Sequence, residues 1–398
     1  MRDKELLIEC IAKESYDNFF EVICETEELR RGRQIVIFGA GIMGMQFAYT
    51  LKQLGVENFI FCDNASDKWG SQLIDTFIKE PKYIENVSQY FVFLAMENYE
   101  QCANQLEEMG YRLGETWINL TNCSGKRLLE TFDRNDDAKI LVLGDCSVST
   151  VSVQEKDKVS IGELLEQIGT TKVLALNGLY MREYYNILRL CKKKMPQLET
   201  VYLLLNVDVM SNRYFLYPKN QHSKIMKELY EKADVSDEEM REFIDIAVDR
   251  EKKVGILDIS SPNRQSNLTE NEIENQRRVH MKLNFLYKIS ENTENMEYLD
   301  AMLDFCRINN IKITYVIMPI NYEMGETYFG EEFKVRYNQI ITVICRHIEK
   351  GRGEILDLSY LLTKKDFICI RSTNEGIRAL GRKLISDKII ERMTGRCQ

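Results

Sequence analysis

The sequence predicts an α/β protein built from two doubly wound, parallel-sheet domains. Short runs of apolar residues recur along the chain, among them IVIF at 35–38, ILVL at 140–143 and VYLLL at 201–205. Runs without a polar alternate are typical of strands that are buried on both faces of a parallel sheet. Each run leads through a turn of small or polar residues into a helical pattern, and this alternation favours a parallel, doubly wound sheet.

Composition excludes several classes of protein. The chain has 398 residues, of which 44% are apolar and 29% charged, and its formal net charge is −9. Such acidity argues against nucleic acid as a partner, because its phosphate backbone selects basic surfaces. No apolar run approaches the roughly 20 residues of a membrane span. The first residues, MRDKELLIEC, contain acids and no continuous apolar region, so we expect no secretory signal.

Cysteines and histidines narrow the chemistry further. The eleven cysteines are scattered, with no CxxC pair and no spacing typical of zinc ligands. We therefore expect reduced, mostly buried thiols in a cytoplasmic protein, and no metal site. Only three histidines occur, at positions 222, 280 and 347, so few residues are available as general bases.

Three regions are expected along the chain. Helical patterns over residues 4–30 predict an N-terminal helical segment, 1–32. A first α/β domain follows over 33–135, and a polar, charged connection ends it near residues 133–137. The second and larger α/β domain is expected over 136–398. Nothing in the sequence indicates the oligomeric state.

The most informative motif of the first domain is Gly39-Ala-Gly41-Ile-Met-Gly44, which follows a strand and opens a helix. In such a loop the first glycine permits a tight turn, the second lets the backbone approach a pyrophosphate, and the third lets the helix pack closely. The N–H groups at the helix start favour an anion. Asp63 ends the next strand, about 20 residues on, where a carboxylate can accept ribose hydroxyls.

A resemblance suggests a ligand for this loop. The strand that ends in Asp63-Asn64, the following DKWG and the later strand-turn YFVFLAMEN are similar to the small Rossmann-like domain of bacterial surface-polysaccharide enzymes, over about residues 33–115. The strand patterns in this region predict four or five strands, fewer than the six of a full dinucleotide-binding fold. The resemblance implies a nucleotide-sugar or nucleotide site at Gly39, Gly41, Gly44, Asp63 and Asn64. Two alternatives stay open: a tight turn that binds nothing, or a nicotinamide site of an NAD(P)-dependent oxidoreductase.

The second domain opens on ILVLGDCSVST, in which a buried strand ends in Gly-Asp-Cys-Ser. The order of blocks after it, over about residues 138–393, resembles the SGNH, or GDSL-like, hydrolase family. In that family a nucleophile follows Gly-Asp, and this position falls on Cys146. The resemblance implies an oxyanion hole at Gly178 and Asn206, or less well Asp208. It implies an acyl esterase or acyltransferase that acts on a sugar.

The last block departs from the family. The Asp-x-x-His pair expected before the closing helix is not found in DFICIRSTNEGIRALG, where one count places Ile368 and Arg371 at its positions and another places Cys369 and Ser372. A serine without a base is a poor nucleophile. Cysteine ionises more readily, and Arg371 would stabilise a thiolate.

Three interpretations of GDCS therefore stay open. In the first, Cys146 is the nucleophile of a thiol enzyme. In the second, the fold is a catalytically inactive module that binds a glycan or nucleotide-sugar. In the third, Ser147 attacks with help from one of the earlier histidines. All three predict a small-molecule sugar or nucleotide-sugar as the ligand, in bacterial polysaccharide biosynthesis or modification.

Overall fold

The structure of the chain is a computed structural model. It divides into two compact units, which meet in sequence between Lys126 and Arg127. The residues that the structure describes are 19, 22–23, 26–96, 99–120, 123–134, 137–149, 151, 155, 157, 159–176, 178–211, 223–235, 238, 270–368 and 376–395.

The first unit is built on a six-stranded sheet in the order β3-β4-β2-β1-β5-β6. All neighbours are parallel except β3 and β4, which are antiparallel. The strands are β1 (Gln34–Phe38), β2 (Phe59–Cys62), β3 (Gln72–Leu73), β4 (Thr76–Lys79), β5 (Tyr90–Leu94) and β6 (Trp117–Asn119). The helices are α1 (Ile42–Gln53), α2 (Glu100–Glu108) and α3 (Cys123–Asp133), the last of which continues into the second unit.

The central strand of this sheet is covered on both faces. Ile35 and Ile37 of β1 belong to one apolar cluster, and Val36 and Phe38 belong to another. Successive side chains of a strand point to opposite faces, so an unbroken apolar run is what a two-sided core requires. The expectation drawn from IVIF is confirmed.

Two expectations for the first unit were wrong. The sheet has six strands, not four or five, because β3 and β4 form a hairpin within the DKWGSQLIDTF region. Its two turn residues, Ile74 and Asp75, both have positive φ, 48° and 62°. Such a turn usually contains Asn or Gly, and without that signal the hairpin escapes detection.

The predicted helical pattern also runs too far. Phe19, Val22 and Ile23 are helical, but residues 26–32 form turns that lead into β1. The rest of the segment 1–25 lies outside the described residues.

The second unit is built on a five-stranded, fully parallel sheet in the order β11-β10-β9-β7-β8. The strands are β7 (Ile140–Gly144), β8 (Thr171–Ala175), β9 (Thr200–Leu205), β10 (Lys312–Ile317) and β11 (Glu354–Asp357). Its helices are α4 (Cys146–Ser149), α5 (Ile161–Glu166), α6 (Met181–Lys194), α7 (Ser223–Lys232), α8 (Glu270–Phe285), α9 (Glu294–Ile308), α10 (Tyr322–Phe329), α11 (Glu331–Lys350) and α12 (Ala379–Thr394).

This sheet is also buried on both faces. Leu141 and Leu143 of β7 pack into one apolar cluster and Val142 into the other. Local signals start the helices, as at α5, where Ser160 and Glu163 cap each other's backbone N–H groups at 3.1 and 2.7 Å. The predicted fold class, two doubly wound α/β domains, is confirmed.

Within the described residues, no helix combines the length and apolar character needed to cross a membrane.

A buried arginine fixes the loop that follows α4. The guanidinium of Arg382, on α12, is 1% exposed and donates to the carbonyl oxygens of Asp157, Val159 and Ile377 at 2.6, 2.9 and 2.7 Å. A buried charge is stable only when its donors are satisfied, so these three carbonyls hold the cation and the cation holds two loops.

We predict that Arg382→Met lowers the free energy of unfolding by about 3 kcal/mol, because three carbonyls lose a charged donor. Arg392→Met is the matched control on the same helix, since Arg392 forms an exposed ion pair with Glu354 at 2.9 Å. Such pairs contribute about 0–1 kcal/mol. Urea unfolding of both variants makes the comparison, and equal losses would contradict the role assigned to Arg382.

Candidate functional site

The strand order reverses at the carboxyl ends of β7 and β9. From β7 the chain moves to β8 on one side, and then returns to β9 on the other. At such a reversal the connections leave in opposite directions, and open α/β sheets bind their ligands there. The Gly-Asp-Cys-Ser turn follows β7 and Asn206 follows β9, so the candidate residues from both strands lie at this reversal.

The turn after β7 is organised by the carboxylate of Asp145. Its Oδ1 accepts hydrogen bonds from the backbone N–H and the hydroxyl of Ser147, at 2.9 and 2.7 Å. Its Oδ2 accepts from Nδ2 of Asn206 at 2.6 Å. Asp145 is buried, and both of its oxygens are used to hold the turn and to join the ends of β7 and β9.

The same arrangement occurs after β11. There Oδ1 of Asp357 accepts from the backbone N–H and the hydroxyl of Ser359, at 2.9 and 2.5 Å. In each Asp-x-Ser sequence the serine side chain closes a turn at a strand end. The hydroxyl of Ser147 is therefore used for structure, as is that of Ser359.

The thiol of Cys146 lies at the first position of α4. Its residue is of intermediate exposure, and it forms no disulfide. Gly144 lets the short helix fold back on the strand, because a Cβ there would lie 2.4 Å from a methyl group of Val148. The Gly-Asp-Cys-Ser sequence thus supplies a close approach, a turn-forming acid, a partly exposed thiol and a turn-forming hydroxyl.

Asn206, predicted as an oxyanion donor, holds the turn. Its Nδ2 donates to Asp145 at 2.6 Å and lies 3.2 Å from the hydroxyl oxygen of Ser147. An amide nitrogen has two hydrogens, so a substrate oxyanion would replace one of these bonds, and the longer bond to Ser147 is the weaker of the two.

Gly178 lies three residues beyond β8, next to the turn. The N–H of Leu176 donates to the carbonyl of Gly144 at 3.3 Å, which brings the loop that follows β8 beside the end of β7. Gly178 has φ +68°, a left-handed conformation that favours glycine.

Asp208 lies in a short 3₁₀ helix, Val207–Met210, directly after Asn206. Its charge contributes to the raised pKa of three tyrosines, although burial is the largest cause in each: Tyr184, Tyr287 and Tyr337. Asp208 therefore lies near enough to these three phenol groups for its charge to act on them.

The one histidine whose side chain the structure describes is distant from this edge. His347 is in the last turn of α11, which returns the chain to the start of β11, so it lies towards the amino edge. There its Nδ1 is 3.3 Å from the carboxylate of Asp300. His222 and Arg371 lie outside the described residues. His280 is in α8, but the position of its side chain is not described.

Asp366, the acid nearest the missing Asp-x-x-His block, has a structural role. Its Oδ2 accepts from the backbone N–H and the hydroxyl of Thr363, at 2.9 and 2.8 Å. It is buried in a capping box at the start of a 3₁₀ helix, Lys364–Asp366.

Sequence reasoning missed one residue of this edge, Tyr184. It lies in the first turn of α6 and is 1% exposed. Among the described residues its hydroxyl has no hydrogen-bond partner. Tyr184 belongs to the apolar periodicity of α6, and periodicity alone does not distinguish it from Ile187 or Leu188, which also pack in the core.

The glycine-rich loop of the first unit is closely packed, as the sequence predicts. A Cβ on Gly39 would lie 2.5 Å from the carbonyl oxygen of Ala95, and Gly39 has φ +119°. A Cβ on Gly44 would lie 2.0 Å from the carbonyl oxygen of Gly39. Gly41 is the N-cap of α1, with no side-chain cap and no acid in the first helical turn. The first N–H groups of a helix have no intrahelical partner, which leaves this end suited to an anion.

Asp63 and Asn64 hold the loop and its surroundings together. Oδ2 of Asp63 accepts from the N–H of Ala40 and from Lys68, both at 2.8 Å, and Oδ1 accepts from the N–H of Ala65 at 2.9 Å. Asn64 donates to Gln105 of α2 at 2.9 Å. A carboxylate offers about four acceptor sites, so Asp63 has room for about one further donor, such as a ribose hydroxyl.

Comparisons with known proteins provide no function that can be assigned to this chain. No family model matches the chain, and no curated protein matches it. A solved structure from Streptococcus pneumonia, described as that of a "putative platelet activating factor", shares 12% identity over 74% of this chain and 99% of its own, with a TM-score of 0.35. A likeness at this level carries no argument about function, which therefore depends on the chain's own residues.

The paired Asp-x-Ser turns give a test of the role assigned to Ser147. We predict that Ser147→Ala and Ser359→Ala each lower the free energy of unfolding by about 1 kcal/mol, because each removes a side-chain hydrogen bond to a carboxylate. Urea unfolding measures both. If Ser359→Ala is destabilised and Ser147→Ala is unchanged, the hydroxyl of Ser147 does not stabilise the turn.

Proposed function

We propose that the second unit transfers or hydrolyses an acyl ester on a sugar or nucleotide-sugar, with Cys146 as the nucleophile. The setting would be the making or modification of a bacterial surface glycan in the cytoplasm. The observation that carries the proposal is the position of Cys146, a partly exposed residue that forms no disulfide, at the β7/β9 reversal within a turn that Asp145 holds in place.

Cys146 is favoured over Ser147 by what each side chain needs. A hydroxyl requires a base to remove its proton, and the hydroxyl of Ser147 donates instead to the turn-forming Asp145. His347 lies towards the opposite edge of the sheet. A cysteine with the ordinary pKa of about 8.5 is already a few per cent thiolate at neutral pH, so it can attack without a histidine.

The proposed reaction has two steps. The thiolate of Cys146 attacks the ester carbonyl carbon and forms a C–S bond, and the sugar oxygen then leaves. Water or a second hydroxyl attacks the thioester, and the C–S bond breaks to regenerate the thiolate. Backbone N–H groups of Cys146 and Gly178, with Nδ2 of Asn206, would stabilise the oxyanion.

A rival candidate is a module that binds the same ligand without turnover. The observation in its favour is that the amide of Asn206 is engaged with Asp145 and Ser147 rather than directed at a ligand. In that case Cys146 is a small residue at the β7/β9 reversal, and its side chain contributes little to affinity.

Parallel assays of the wild type and Cys146→Ala separate the two candidates. We predict that the wild type releases acetate from acetylated sugars and p-nitrophenol from p-nitrophenyl acetate, and that Cys146→Ala lowers kcat at least about 10³-fold, since it removes the nucleophile. Cys345→Ala is the control, because Cys345 is also of intermediate exposure but lies on α11, where burial and then nearby acids raise its thiol pKa to about 11. Equal, background-level rates in all three proteins would overturn the enzymatic proposal and favour the binding module.

We further propose that the glycine-rich loop of the first unit binds the diphosphate of a nucleotide-sugar or nucleotide. The support is local: α1 begins without a capping side chain or an acid in its first turn, and Gly39 and Gly44 let the loop and the helix approach closely. Lys68, 2.8 Å from Asp63, offsets the charge of the nearest carboxylate.

Substitution of the N-cap tests this site without loss of the fold. Gly41 has φ −115° and ψ −167°, which any residue adopts. We predict that Gly41→Asp keeps or raises the melting temperature, because aspartate is a favoured N-cap, and that it weakens binding of UDP-sugars at least about 10-fold by placing a negative charge where the diphosphate binds. Gly41→Asn adds the cap without the charge. Calorimetric titration, with NADH as a further arm, decides between the open alternatives, and identical affinities in all three proteins would exclude this loop.

A further inference from the structure

We propose that the phenol hydroxyl of Tyr184 is the catalytic acid of the Cys146 site and protonates the leaving sugar oxygen. This assignment rests on the proposed acyl chemistry of Cys146 and adds a proton donor that no histidine among the described side chains supplies there. A histidine gives that proton in serine hydrolases, and the described histidine side chain lies towards the opposite edge of the sheet.

The position of Tyr184 is the first argument. It lies in the first turn of α6, just after the loop that carries Gly178, and this end of α6 is at the carboxyl edge of the five-stranded sheet. Asp145, Cys146 and Asp208 lie near enough for their charges to act on its hydroxyl. These residues belong to the loops that follow β7 and β9, where the strand order reverses.

The hydrogen-bonding state of Tyr184 is the second argument. The residue is 1% exposed, and its hydroxyl has no partner among the described residues. An unpaired hydroxyl in an apolar setting is unfavourable, and most buried tyrosines find a partner. Phenylalanine would fill the same space without that cost, so the hydroxyl is retained for a bond that a ligand completes.

The surroundings of Tyr184 keep its phenol protonated until the leaving group needs the proton. Burial, and then the charges of Asp145, Cys146, Asp208 and Glu183, raise the pKa of Tyr184 well above 10. The phenol is therefore protonated throughout the neutral range. A phenol that remains protonated can give its proton to an alkoxide as the C–O bond to the sugar breaks.

The proton of Tyr184 is given up in acylation and recovered in deacylation. In acylation the thiolate of Cys146 forms the C–S bond, the C–O bond to the sugar breaks, and the alkoxide takes the proton of Tyr184 to give the free sugar, a thioester and a phenolate. In deacylation the phenolate takes a proton from water, hydroxide attacks the thioester, and the C–S bond breaks. The products are a carboxylic acid, the thiolate of Cys146 and the neutral phenol of Tyr184.

The test uses two esters that differ in their need for a proton. The p-nitrophenolate group leaves readily without protonation, whereas a sugar alkoxide does not. We predict that Tyr184→Phe lowers kcat on an acetylated sugar about 100-fold or more, as expected for loss of a general acid, and lowers kcat on p-nitrophenyl acetate by less than about 3-fold. Tyr315→Phe is the control, because Tyr315 is also fully buried but donates to a carbonyl of α9 at 3.4 Å.

A second measurement needs no variant. For the wild type, kcat/KM across acetate esters should depend only weakly on the pKa of the leaving alcohol, because the acid compensates for a poor leaving group. In Tyr184→Phe the dependence should become steep. Melting temperatures of both tyrosine variants show whether each variant is folded.

Each outcome of these measurements either supports or overturns the role assigned to Tyr184. Selective loss on the sugar ester supports the assignment. Equal losses on both esters, no loss on either, or a wild type that hydrolyses only the nitrophenyl ester would overturn Tyr184 as the acid and leave Cys146 as the nucleophile. If the wild type shows no turnover, or if its turnover does not depend on Cys146, the proposed function is overturned, and the assignment of Tyr184 with it.

Discussion

The carboxylate of Asp145 is the constraint on which the candidate site depends. It joins the end of β7 to the end of β9 through Asn206, and it closes the turn through Ser147. A carboxylate that accepts several hydrogen bonds in a buried place is rigid, because loss of any donor leaves charge unsatisfied. Cys146 lies between Asp145 and Ser147, so the hydrogen bonds of these two residues hold the backbone on both sides of it.

In the first unit, Asp63 holds a loop in place in a similar way. That residue ends β2, and its carboxylate bonds the N–H of Ala40 in the loop that follows β1, the N–H of Ala65 and the ammonium of Lys68. In both units a buried acid at a strand end fixes the backbone of the loop at which the chain reverses direction across the sheet. In each unit the acid stabilises the geometry of the loop.

The sequence predicts those features of the fold and the site that depend on a few neighbouring residues. The buried strands and the turns after them were foreseen, because an unbroken apolar run followed by Gly-Asp or Gly-Ala-Gly is a signal within a few residues. The β3–β4 hairpin was missed, since its turn uses Ile74 and Asp75 where Asn and Gly are usual. The use of the Asn206 amide by Asp145 was also invisible, because it joins residues 61 positions apart.

Whether the nucleophile is a serine or a cysteine determines which proton transfer the site must catalyse. A serine site needs a base before attack, and a triad supplies it and later returns the proton to the leaving group. A thiol reaches the attacking form through its own acidity, so the need moves to the second half of the step, where the leaving oxygen must be protonated. The hydroxyl of Tyr184, buried and without a described partner near Cys146 and Asp145, meets that need. A site with cysteine in place of serine therefore does not require the histidine, because the acidity of the thiol replaces its role as base and a phenol replaces its role as proton donor.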